Sequence, residues 1–62
     1  MKKYYAELML VNYKNGGVVE FTAANDADAI KHGGDIQTST PNCIAYKVFK
    51  KNGKRKTYVI VD

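Results

Sequence analysis

Ala23 to Thr38 reads AANDADAIKHGGDIQT, the one segment of this 62-residue chain with helical spacing. Asn25 fits an N-cap, because its side-chain oxygen accepts from the free amides of the first turn. Asp26 and Asp28 follow, and negative charge suits the positive end of the helix dipole. Ala29, Ile30, Gly33, Ile36 and Gln37 then share a face at helical spacing. Gly33-Gly34 leaves two readings, since each glycine costs roughly 1 kcal/mol against alanine inside a helix. One reading ends the helix at His32 with a glycine as left-handed cap. The other, preferred because Ile36 continues the apolar face, runs to about Thr38 and turns Gly33 to a neighbouring surface for close packing. Thr38-Ser39-Thr40 and Pro41 end the helix on either reading.

A strand hairpin is expected on each side of this helix. Lys3 to Tyr13 is rich in aromatic and apolar residues and reads as a strand. Asn15-Gly16 is a favoured two-residue turn, and Val18 to Ala23 is the return strand. That register sets Tyr13 opposite Val18, Val11 opposite Glu20 and Leu10 opposite Phe21. Ala6, Leu8, Leu10, Val19, Phe21 and Ala23 then share an uncharged face, which belongs against the helix. Beyond the helix, Asn42 to Lys50 is the third strand, Asn52-Gly53 the second turn and Lys54 to Asp62 the fourth strand. Val48 is expected opposite Thr57, Tyr46 opposite Val59 and Ile44 opposite Val61, with Ile44, Tyr46, Val48, Val59 and Val61 under the helix.

The element order is therefore ββαββ, an α+β domain with one helix packed on one face of a four-stranded antiparallel sheet. The helix returns antiparallel to the second strand, so the third strand runs parallel to the second and cannot neighbour it. Sheet order 2-1-3-4 or 1-2-4-3 follows, with no feature choosing between them.

A chain this short makes one domain. It buries only about 60% of its unfolded surface, so it depends on good packing or on oligomerisation. Cys43 is the single cysteine, which excludes an intrachain disulfide and fits a reducing, cytoplasmic setting. The apolar run after Lys2 and Lys3 is short and interrupted by Glu7, so neither a signal peptide nor a membrane span is expected. Net charge is +4 with pI about 9.3, which favours acidic partners.

One helix covers one face of the sheet. The other face is expected to carry Tyr5, Met9, Val11, Tyr13, Val18, Phe49, Tyr58 and Ile60, with Glu7, Glu20, Lys47 and Lys56 among them. A monomer rarely leaves a contiguous apolar patch above a few hundred Å² in water. Either Glu and Lys pair across strands and dilute the patch, or the face binds something. Tyr5, Met9, Val11, Tyr13, Phe49 and Tyr58 are the candidate protein-binding residues, for a foreign protein or for a second copy in a two-fold homodimer. An edge strand open to β-augmentation is the other route.

The alternative partner is nucleic acid. The hairpin Lys47 to Tyr58 carries Lys47, Lys50, Lys51, Lys54, Arg55 and Lys56, which would meet phosphates, while Phe49 and Tyr58 would stack on unpaired bases. Lysines at turns and edges also serve as an anti-aggregation device. A third reading is a structural or assembly subunit.

Chemistry is sparsely supported. His32 and Cys43 are the single histidine and cysteine, on different elements and without an orienting third group. Asp26, Asp28 and Asp35 are spread along the helix, and a metal site needs three or four convergent ligands. His32 is read as a dipole partner near the helix C-terminus. Gly16-Gly17 and Gly33-Gly34 match no phosphate loop. No enzyme, cofactor or small-molecule substrate is expected.

In size, charge and ββαββ order the chain resembles small single-domain proteins encoded by phages and other mobile elements, anti-CRISPR proteins being one group. The likeness lies in the arrangement of elements across the whole chain. It implies binding and blocking of a host macromolecule, with no catalytic residues to carry over. The KNGKRK turn resembles the basic β-ribbons of some phage integrase N-terminal domains, although there the helix follows the sheet and here it precedes this hairpin.

Overall fold

In the computed structural model, which describes residues 1–12 and 14–59, the helix α1 spans Asp26–Ser39 and runs through both glycines. Its start is doubly tied. Asn25 Oδ1 accepts from the Asp28 amide at 2.8 Å, and Asp28 Oδ2 accepts from the Ala24 amide at 3.0 Å. This is a close variant of the capping box. At the other end Thr40 donates its amide to the Gln37 carbonyl, and Asn42 takes a left-handed φ of 62°, which asparagine tolerates better than most residues.

The strands are β1 (Lys2–Leu10), β2 (Asn15–Ala23), β3 (Cys43–Asn52) and β4 (Arg55–Tyr58), in one antiparallel sheet of order β2-β1-β3-β4. The first of the two orders open to the sequence is the one adopted. The helix packs chiefly on β3. Gly33 lies so close that a Cβ would sit 2.7 Å from Tyr46 Cε2 and 2.8 Å from Val48 Cγ2. Tyr46 also donates its hydroxyl to the Ile30 carbonyl at 3.2 Å. Tyr4, Ala23, Ala29 and Val48 form the buried core, with Phe21, Ile30, Tyr46 and Val59 packed around them.

Both hairpins correct the expected register. Phe21 faces Tyr4 rather than Leu10, and Val18 faces Glu7 rather than Tyr13. Asn15-Gly16 is not the turn but the start of β2. The chain reverses between Leu10 and Asn15 instead, with Leu10 donating to the Lys14 carbonyl at 2.9 Å and Val11 to the Asn42 carbonyl at 2.7 Å. Asn15 Oδ1 accepts from the Gly17 amide at 2.7 Å, and Gly17 takes φ 95° in a bulge of β2. A Cβ on Gly16 would meet Leu8 Cβ and Leu10 Cδ2 at 3.1 Å each, so glycine lets the bulge close over both leucines. In the second hairpin Asn52 pairs with Arg55, which makes Gly53-Lys54 the turn. Gly53 has φ 64° and Lys54 does not share it, the pattern of a type II′ turn. Lys50, not Val48, faces Thr57. Away from the bulges both shifts are even, so the side chains of Tyr4 to Met9, Val18 to Ala23, Ala45 to Lys51 and Lys56 to Tyr58 keep their expected faces. Leu10, expected on the helix face, instead pairs with Cys43, expected on the other.

Tyr4 joins the helix face and is fully buried. Its hydroxyl donates to Asp26 Oδ1 at 2.7 Å, and Lys50 Nζ lies 3.4 Å from the same oxygen. The tyrosine is pushed up to about 12, first by that hydrogen bond and then by burial. Asp26 is held below its ordinary range by the Tyr4 hydrogen bond; burial opposes this and Lys50 reinforces it. Ile44, expected under the helix, stays exposed, because the close approach is centred on Tyr46 and Val48. His32 lies mid-helix, so it is not a C-terminal dipole partner. It sits 3.5 Å from Asp28 Oδ2, with its ring 6.0 Å from that of Phe21. No described helix is long and apolar enough to cross a membrane.

Candidate functional site

The face away from the helix divides into two ends. Strand pairing lines up its side chains in rows: Thr22 with Lys3; Glu20, Tyr5, Phe49 and Tyr58; Val18, Glu7 and Lys47; then Asn15, Met9 and Ala45.

The end nearest the β3–β4 turn is sealed. Phe49 is only 1% exposed although it faces away from the helix. Tyr5 stacks on it at 5.3 Å between centroids and Tyr58 meets it edge-on at 5.7 Å. Lys56 Nζ lies 4.9 Å from the Phe49 ring centre and 3.9 Å from Glu7 Oε1. Lys51 Nζ lies 4.9 Å from the Tyr5 ring centre, and Lys47 Nζ lies 5.7 Å from that of Tyr58. Three lysine ammonium groups thus lie over the faces of this aromatic group. Lys3 and Glu20 pair at 3.7 Å beside this group. Phe49 is therefore a small second core and offers no ring face to a ligand. Tyr5 is half-buried between Phe49 and Lys51, and Tyr58 remains 44% exposed.

The end nearest the β1–β2 turn is bare. Met9 is 40%, Val18 50% and Val11 57% exposed. A cleft of about 240 Å³ here is lined by Glu7, Leu8, Met9, Lys14, Asn15, Ala45, Tyr46 and Lys47. That is below the roughly 300–1,000 Å³ of ordinary small-molecule sites. Lys14 and Lys47 have no carboxylate within ion-pair distance among the described residues. Tyr13, a candidate contact from the sequence, lies outside the described residues, as do Ile60, Val61 and Asp62.

The two edges differ in kind. β4 carries Arg55 and Lys56 in its four residues, a common defence against strand addition. β2 is nine residues long, with Glu20 its one charge and no proline. Its Val18 and Val19 point to opposite faces and both are exposed. Sequence reasoning had Val18 on the outer face but did not separate the bare end from the sealed one. Val19 was expected against the helix and is left 39% exposed, because α1 packs chiefly on β3 and meets β2 at Phe21 and Ala23.

Of the basic residues proposed for nucleic acid, Lys50 is turned to the helix side and paired with Asp26, and Lys56 is paired with Glu7. Lys47 and Lys51 lie against aromatic rings. Lys54 and Arg55 are exposed at the turn. The cysteine Cys43 rests its Sγ 3.2 Å from the Ala45 carbonyl, and among the described residues no three His, Cys, Asp or Glu side chains converge. Compared with family models, curated proteins and solved structures, the chain finds no match.

Proposed function

We propose that this chain is a non-enzymatic protein-binding module acting through the bare end of its outer sheet face and the adjoining β2 edge. The observation that carries the reading is the contrast between the two ends. At one end the aromatic rings pack on one another around the buried Phe49 and three lysine ammonium groups lie over them, with Tyr58 left 44% exposed at the rim. Met9, Val11 and Val18 at the other end have no such cover. Exposed apolar groups set beside a nine-residue edge strand with one charge, regular from Val18 onward past the bulge at Gly17, are the two features that strand-addition and flat protein interfaces use. The nucleic-acid reading loses one of its two stacking residues, since a base cannot reach the buried Phe49, and keeps only Tyr58.

The test is a pair of surface variants, Met9→Glu and Val18→Glu, examined for association by light scattering and by cross-linking. Both residues are at least 40% exposed, so far-UV circular dichroism and the melting transition are expected to stay unchanged. Association with a second copy or a foreign protein is expected to be lost in the double variant. Association equal to that of the parent chain contradicts the reading.

A further inference from the structure

The cleft at the bare end has a chemistry that narrows its partner. We infer that it receives an acidic peptide segment carrying one large apolar side chain, the side chain entering over Met9 and Ala45 and the acidic flanks meeting Lys14 and Lys47. This rests on the outer-face reading above and names the partner of that same site.

Size, lining and charge each contribute. A volume of about 240 Å³ is small for a cofactor and of the order needed for one leucine or aromatic side chain. Met9 brings a flexible thioether that adapts to either shape. Ala45 sits directly opposite Met9 in the sheet, and its single methyl leaves the depression between them. The margin is cationic. Glu7 is its one acidic group, and that carboxylate lies 3.9 Å from Lys56 Nζ, outside the cleft lining. Neither Lys14 nor Lys47 has an ion-pair partner among the described residues, and the Lys47 ammonium, 5.7 Å from the Tyr58 ring centre, keeps its full charge there. The whole chain carries +4, so long-range attraction acts in the same direction. A second copy of this chain fits less well, because it brings that same +4 and its β2 edge carries a single acidic residue, Glu20.

The experiment titrates isotope-labelled protein with synthetic peptides and follows amide chemical shifts. The probes are short peptides of alternating aspartate and glutamate with one central phenylalanine or leucine, the same peptides with central alanine, and versions with lysine flanks. The acidic apolar peptides are expected to give saturable shifts at Met9, Asn15 and Ala45. Central alanine should weaken binding about tenfold, the scale of one lost anchor. Lysine flanks should abolish binding. Lys14→Ala with Lys47→Ala should weaken it about fivefold, while Lys54→Ala at the far turn should change it less than twofold. Ala45→Glu, which fills the cleft and adds an acid, should abolish it. Shifts confined to residues 51–56 and indifferent to the central residue overturn the inference, as do shifts nowhere. If the acidic peptides fail while Met9→Glu and Val18→Glu still abolish an association, the partner chemistry alone is wrong. If those variants change nothing either, the surface itself is wrong.

Discussion

Gly33 and Tyr46 touch so closely that a single added methyl would bring Cβ within 2.7 Å of the tyrosine ring. That contact is where helix and sheet meet, and it explains a glycine pair in the middle of a helix. Gly34, one residue on, has a different neighbourhood: a Cβ there would meet only the Tyr46 hydroxyl, at 3.4 Å, with ring carbon Cζ at 3.9 Å. Gly33→Ala is therefore expected to destabilise by about 1–3 kcal/mol, the overpacking cost outweighing the gain in helix propensity. Gly34→Ala should instead stabilise by up to about 1 kcal/mol. Urea midpoints of the two variants check this, and equal shifts would mean that the helix stands further off the sheet.

The Tyr4–Asp26–Lys50 contact makes stability depend on pH at both extremes. Tyr4 binds its proton more tightly folded than unfolded, so its contribution is complete below its ordinary 10.0 and is lost as pH rises towards about 12. Asp26 has the opposite sign. Its contribution is complete above its ordinary 3.8 and is lost as pH falls through the lowered folded value. Tyr4→Phe should cost about 1 kcal/mol near neutrality, the worth of the hydrogen bond. It should also flatten the alkaline loss. Denaturant midpoints measured from neutral to alkaline pH test this, and parallel profiles for variant and parent would remove Tyr4 from the account.

Phe49 stabilises the fold from the face the helix does not reach. Phe49→Leu keeps most of the volume but loses both aromatic contacts, and about 1–2 kcal/mol is expected to go with them. Val11→Ala, just beyond β1 and 57% exposed, should cost under about 0.5 kcal/mol. A thermal melt of each separates the sealed end from the bare one. Equal costs would contradict that division.

The element order and most of the assignment of side chains to faces were legible in the sequence, because period and polarity report them directly; for Gly33-Gly34 the sequence left two readings, and the preferred one, a helix running through both, is the one adopted. The registers were not. Asn15-Gly16 and Asn52-Gly53 have the composition of tight turns, yet the first became a strand start. There, a bulge at Gly17 and the hydrogen bond from Val11 to Asn42 outweighed local turn preference. The faces survived wherever the shift was even and failed at Leu10 and Cys43, beyond the irregularity after Met9. Tyr4 continues the alternation of Ala6 and Leu8 and could have been placed in the core by that signal. The two-ended character of the outer face was beyond reach. It depends on which lysine stem lies over which ring, and alternation along a strand says nothing of that. Phe49 looked like a contact residue for the same reason.

The most direct test of the central claim is one amide-shift titration run in parallel with two ligands at about 0.15 M salt, where surface charge is screened beyond about 8 Å. One ligand is the acidic phenylalanine peptide and the other a short mixed-sequence DNA duplex. The account predicts saturable shifts at Met9, Asn15 and Ala45 with the peptide and none with the duplex. Saturable shifts at Lys51, Lys54 and Arg55 with the duplex, and none at Met9 with the peptide, would contradict it and make the basic turn the working surface.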